Sequence, residues 1–95
     1  MGMIMYFVYI LTNQSHSVLY IWVTNNLWRR LGEHSLQYEK SFVGKYKLKK
    51  LIYYEEYKSI QEAIQREKQL KNRHRERKNN LISAVNPEWK EIIVD

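Results

Sequence analysis

The sequence predicts a small α/β domain, a three-stranded antiparallel sheet packed with helices in the order β-β-α-β-α-α. Three observations carry this reading. Residues Met3 to Leu11 (MIMYFVYIL) are apolar without interruption, as in a central strand covered on both faces. Two β-forming segments flank the turn formers Asn13, Gln14, Ser15, His16 and Ser17, the pattern of an antiparallel hairpin. Further on, a third β-forming segment is followed by Ser59 and Glu62 in the spacing of a capping box, which opens a helix.

Each element follows from local chemistry. Met3 to Leu11 forms the first strand, and Leu19 to Thr24 (LYIWVT) returns beside it. Thr24 or Asn25 can cap the helix that follows, expected over Asn26 to Tyr38. A basic, poorly periodic connection from Glu39 to Tyr46 leads to the third strand, Lys47 to Tyr57 (KLKKLIYYEEY), with β-branched and aromatic residues at its centre. The capping box at Ser59 begins a helix that runs to Lys71. A last helix, Arg75 to Val85, stops before Asn86-Pro87, because the residue ahead of a proline disfavours helical geometry.

The 95 residues, 44% hydrophobic and 14% aromatic, suffice for one core and one domain spanning 1–95. With 3 Gly and 1 Pro the chain is not a low-complexity polymer. The absence of cysteine excludes disulfides, thiolate metal sites and thiol nucleophiles. No apolar run approaches the roughly 18 residues of a membrane span, and Met1 to Leu11 lacks the features of a signal peptide, so a cytoplasmic protein without membrane contact is expected.

Charge points to a polyanionic partner. Sixteen Lys+Arg against ten Asp+Glu leave a formal charge of +6. The basic residues cluster in two stretches: Lys40, Lys45, Lys47, Lys49 and Lys50, and then Arg66, Lys68, Lys71, Arg73, Arg75, Arg77 and Lys78, which face only Glu67 and Glu76 in their own segment. Such stretches neutralise phosphates, so nucleic acid is the expected partner, with Lys45, Lys47, Lys49, Lys50, Arg66, Lys71, Arg73 and Arg75 as contacts. A solvated helix face is the plainer alternative.

Polar residues also stand where a core should be. On the first helix Leu27, Leu31 and Tyr38 share one face, and Arg30 and His34 lie on it. On the second, Ile60, Ala63, Ile64 and Leu70 define an apolar stripe with Glu67 in its middle. Charges directed inward must pair, hold a metal or line a ligand cleft. Either an Arg30–Glu67 ion pair or an active site satisfies the pattern. Tyr9 and Tyr20 lie one on each strand of the hairpin and can serve as core aromatics or as phenols at a sheet surface. No HExxH, glycine-rich phosphate loop or serine elbow occurs.

Phe7-Val8-Tyr9, Tyr20-Ile21-Trp22, Thr24-Asn25-Asn26-Leu27-Trp28-Arg29-Arg30 and Glu33-His34 together resemble the GIY-YIG nuclease superfamily, in particular its small single-domain bacterial members. The likeness continues through Ser41-Phe42, residues 49–55, residues 63–71 and Asn86-Pro87-Glu88-Trp89-Lys90, nearly the whole chain. The resemblance implies metal-dependent hydrolysis of nucleic-acid phosphodiesters, with DNA as the expected polymer and one Mg²⁺ or Mn²⁺ ion as cofactor. It assigns Tyr9 and Tyr20 to the two motif tyrosines, Arg30 to the active-site arginine, His34 to a histidine often beside them, and Glu67 to the metal ligand. In those roles Glu67 holds the ion, Arg30 contacts non-bridging oxygens, Tyr9 orients or deprotonates the water and Tyr20 hydrogen-bonds the phosphate.

Trp22 departs from the motif, which ends in glycine at this position. An indole there can fill the cleft or offer a stacking surface to a base. The alternative expectation is therefore a catalytically weakened nucleic-acid-binding module of the same fold.

Overall fold

The computed structural model describes residues 4–36 and 48–94, with residues 33–36 described by their backbone alone. Met3, Tyr38 and the Glu39 to Tyr46 connection lie outside the described residues. The described elements are β1 (Tyr6–Thr12), β2 (Leu19–Thr24), α1 (Leu27–Leu36), β3 (Lys50–Tyr57), α2 (Ile60–Lys71) and α3 (Arg75–Val85). The three strands form one antiparallel sheet in the order β2-β1-β3. This is the expected α/β architecture with the first strand in the centre. Among the described residues no helix is long and apolar enough to cross a membrane.

The uninterrupted apolar character of β1 is explained by covering on both sides. Val8 and Ile10 point to one face, where they join Ile21, Ile52, Ala63, Leu70 and Ile82 from β2, β3, α2 and α3. Tyr9 and Leu11 point to the other, where Leu27, Leu48 and Leu51 complete a second cluster flanked by Leu31, Ile92 and Val94. Each large apolar side chain buried this way contributes about 1.5–3 kcal/mol. Thr12, the buried polar residue at the end of β1, donates its hydroxyl hydrogen to the carbonyl of Val18 at 2.8 Å.

The hairpin loop is organised by Asn13, whose Oδ1 accepts the N–H groups of Ser17 (2.9 Å) and Val18 (3.2 Å). His16 takes the left-handed conformation, φ 58°, that such a compact loop requires. Arg75, the first residue of α3, donates to the carbonyls of His16 and Ser17 and so fastens the loop to the helix. On β3, Ile10 faces Tyr53 while Leu11 faces Leu51, which leaves Ile52 as a bulge.

Helix boundaries follow their caps. The Asn26 side chain accepts the Arg29 N–H at 3.0 Å and Thr24 Oγ1 accepts the Asn26 N–H at 3.2 Å, so Asn26 itself caps α1, one residue after Asn25 and two after Thr24, the expected caps. At α2 the expected cap is present: Ser59 Oγ accepts the Glu62 N–H. Helix α3 ends at Val85, as the following Asn86-Pro87 requires. Asn86 Nδ2 then donates to the carbonyls of Ile52 and Lys90, and the Ile92 N–H donates to Leu51, so the C-terminal tail covers part of the β3 edge.

The apolar stripe of α2 differs from the expectation. Ala63, Glu67 and Leu70 are buried, whereas Ile60 and Ile64 are 36% and 37% exposed. The helix is rotated about its axis so that the row through Glu67 meets the sheet. The strands vary this theme with a polar knot: Tyr53, Glu55 and Tyr57 alternate onto the face that meets α2, and Arg66 descends on them. Arg66 holds the Glu55 carboxylate through Nε and a terminal nitrogen, at 2.9 and 3.1 Å, while the Tyr53 and Tyr57 hydroxyls donate to the same carboxylate. Four donors match the acceptor capacity of one ionised carboxylate.

Burial pushes the Glu55 carboxyl up, but the hydrogen bonds from Arg66, Tyr53 and Tyr57 outweigh it and leave its pKa below the ordinary value. The Tyr57 hydroxyl is pushed up to about 12, first by burial and then by its bond to Glu55. Stability from a depressed carboxyl is present above its unfolded pKa and is lost as pH falls through the folded one. Glu55→Gln should therefore cost about 2 kcal/mol at neutral pH. In urea unfolding, its difference from the native chain should shrink on acidification below the carboxylate range. At the alkaline end the sign reverses, and the Tyr57 contribution should fade as pH rises through about 12.

Candidate functional site

The strand-to-helix junction places the first candidate. With Asn26 as cap, Leu27 is buried against the sheet and Arg30, one turn on, follows on the same side. Arg30 and Arg29 line an open cleft of about 340 Å³ with Tyr6, Trp22, Val23, Thr24, Asn25 and Ile60. The end of β2, the start of α1 and the start of α2 thus converge there. Asn25 Oδ1 accepts from Arg29 at 3.3 Å on the rim.

The tyrosines share a sheet face with Trp22, which lines this cleft. Tyr9 is fully buried and Tyr20 half-buried, with ring centroids 6.4 Å apart. Cross-strand register puts Tyr9 opposite Trp22, on the same face of the sheet. The Trp22 ring is stacked on Tyr20 at 6.1 Å and 24°, and it also lines the cleft, whereas neither tyrosine does. The indole thus touches Tyr20 and also forms part of the wall of the cleft that Arg30 lines.

Glu67 is 8% exposed on the sheet-facing side of α2, where the spacing of apolar residues had directed it. It forms an ion pair with Lys71 at 3.3 Å, and among the described residues none joins it to Arg30. Lys71 also places its ammonium 4.0 Å from the Trp22 ring centroid. Contacts therefore run from Tyr9 through Tyr20, Trp22 and Lys71 to Glu67, and Trp22 shares the cleft lining with Arg30. His34 belongs to α1, but its side chain lies outside the described residues.

The basic residues divide by duty. Arg66 is engaged by Glu55, Arg75 by the hairpin carbonyls and Asn79, and Lys50 by the His16 ring at 3.1 Å. Lys71 is held by Glu67 and Trp22. Lys49 is exposed and Arg73 partly so, while Lys45 and Lys47 lie outside the described residues. Lys68 and Arg77, not among the expected contacts, are exposed on α2 and α3. His16, whose ring meets Trp89 at 5.0 Å, has its pKa lowered by burial and by the charges of Lys50 and Arg75. Sequence reasoning had treated it only as a turn residue, and no local pattern signals the contact with Trp89.

Among the described residues, no group of three or more His, Cys, Asp or Glu side chains could hold a metal ion. Glu67 is thus a single carboxylate donor. A hydrated divalent ion needs no more from the protein when substrate oxygens supply further ligands.

Comparison with known proteins gives this arrangement a family. A solved structure of a UPF0213 protein from Bacillus halodurans, determined in solution by NMR, is similar to the chain with a TM-score of 0.57 and 24% identity, covering 90% of each chain; at that identity it speaks for the fold. No curated protein matches by sequence. The GIY-YIG catalytic domain matches residues 5–80, a span from β1 into α3 that includes the tyrosines, Arg30 and Glu67. With its fold and most of its length accounted for in this way, the chain belongs to the GIY-YIG family of nuclease-like domains.

Proposed function

We propose that the chain is a metal-dependent endonuclease-like domain that hydrolyses nucleic-acid phosphodiesters, with DNA as its substrate. The observation that carries the reading is the burial of Glu67 on the sheet-facing side of α2 in a chain of this family. A carboxylate is otherwise an expensive choice for that position.

Glu67 fits the donor chemistry of Mg²⁺ or Mn²⁺, which bind through one or two carboxylates together with waters and phosphate oxygens. When bound, such an ion supplies positive charge against the phosphate. Arg30, on the wall of the cleft, contacts the non-bridging oxygens and offsets charge that grows as the water attacks. The Tyr20 hydroxyl, on the partly exposed ring, would hydrogen-bond the phosphate, and Tyr9 would orient the water or, as the phenolate favoured by nearby positive charge, take its proton. Outside the cleft, the exposed cations of α2 and α3 bind the strand through its backbone without reading its sequence.

A second reading, a binding module with weakened catalysis, is favoured by Trp22. Its ring stacks on Tyr20 and forms part of the wall of the Arg30 cleft. Cleavage assays on duplex, single-stranded, branched and RNA substrates with Mg²⁺ and Mn²⁺ distinguish the two. The nuclease reading expects cleavage that Glu67→Gln and Arg30→Ala each reduce by at least about 100-fold, and that Trp22→Gly increases. Binding without cleavage by both the native chain and Trp22→Gly would leave the module.

Glu67→Gln itself should fold. Its partner Lys71 is 39% exposed in its side chain and turns to water when released, so thermal unfolding should move by the equivalent of no more than about 1 kcal/mol. A loss of several kcal/mol would instead mark Glu67 as a structural charge. Neutralising Lys68, Arg73 and Arg77 should weaken DNA binding similarly for all sequences and reduce the slope of log affinity against log salt by about 2 to 3. An unchanged slope would show that these cations do not meet phosphate.

A further inference from the structure

Lys71 has two partners that no single element could provide. Its ammonium lies 3.3 Å from Glu67 Oε1, one helical turn earlier, and 4.0 Å from the centre of the Trp22 ring on β2. The indole is in turn braced by its stacking on Tyr20. The carboxylate side chain is 11% exposed and the lysine side chain 39% exposed. The positive charge is thus held between a carboxylate and an aromatic face, and its stem keeps a route to solvent. A glycine at position 22 would leave only the ion pair.

We propose that Lys71 is a built-in counter-ion that competes with a divalent cation for Glu67, and that Trp22 holds it in place. The inference rests on the reading of Glu67 as a metal ligand. A hard cation and an ammonium on one carboxylate repel each other at close range, and the largely buried carboxylate leaves water to screen them from the lysine side only. Metal binding therefore requires Lys71 to leave the Glu67 oxygen and weakens its contact with the indole. Each of these attractions is modest in a partly exposed setting, and together they set a threshold for loading. Trp22 is a positioning residue here, acting on the metal site only through Lys71.

Titration of the full chain with Mn²⁺ alone, read by the electron paramagnetic resonance of the free ion, tests this without reference to cleavage. Lys71→Met should tighten Mn²⁺ binding on the order of tenfold, and Trp22→Leu several-fold. The double variant should bind no more tightly than Lys71→Met, because Trp22 has nothing to hold once the ammonium is gone. Glu67→Gln should remove binding in both the native and the Lys71→Met backgrounds. In the native chain, Mg²⁺ should shift the Trp22 ring and Lys71 ε-methylene proton resonances along a common saturation curve, a measurement that needs no variant to fold. If Glu67→Gln removes binding but Lys71→Met does not tighten it, the competition is overturned and the ligand role of Glu67 stands. If no variant binds Mn²⁺, or if Glu67→Gln changes nothing, the ligand role fails and takes the competition with it.

Discussion

Burial of β1 on both faces is the constraint from which the rest of the structure follows. A strand with Val8 and Ile10 on one side and Tyr9 and Leu11 on the other needs two covers. One is built from α2 and α3, the other from α1 with the C-terminal tail. The strand must also be central, because an edge position would leave half of its backbone groups without partners. β2 and β3 meet that demand on either side. The Asn86 side chain and the Ile92 amide then satisfy carbonyls of β3 that the sheet does not reach.

Two covers also explain where the polar residues stand. The helix that packs on one face brings Arg66 onto the carboxylate of Glu55 and carries Glu67 against the sheet. Both acids have cationic partners, but the settings differ in kind. Glu55 is bound by four donors from three residues, which makes it a rigid structural anion. Glu67 has one ammonium beside it, on a flexible stem with access to water. The first arrangement stabilises a single geometry, whereas the second holds its partner through one contact at the edge of the solvent. Three of the cations are likewise engaged within the molecule, Arg66 by Glu55, Arg75 by the hairpin carbonyls and Lys71 by the indole.

Trp22 converts a motif position into a packing centre. Where a glycine leaves the backbone open, the indole touches Tyr20, lines the cleft and receives Lys71. The tyrosines, the arginine and the carboxylate all lie within the span that matches the family, and the ring contacts beside them are aromatic. The family-level chemistry and the individual character of this chain thus meet at one side chain.

The strands, the hairpin, the cap at Ser59 and the end of the last helix before Asn86-Pro87 were legible in the sequence, because each is set by residues within a few positions of one another. The inward placement of Glu67 was legible for the same reason, since helical spacing puts it between Ala63 and Leu70. The rotation that buries Ala63, Glu67 and Leu70 while exposing Ile60 and Ile64 was not, because a helix flanked by apolar residues on both sides of its stripe is oriented by the groove that receives it. The same holds for Glu55 with Arg66, for Arg75 on the hairpin, for His16 against Trp89 and for Lys71 between Glu67 and Trp22. A residue's own segment decides which element it joins and which face it shares; which partner it meets depends on contacts between segments far apart in the chain, and those exist only once the two covers have closed on β1.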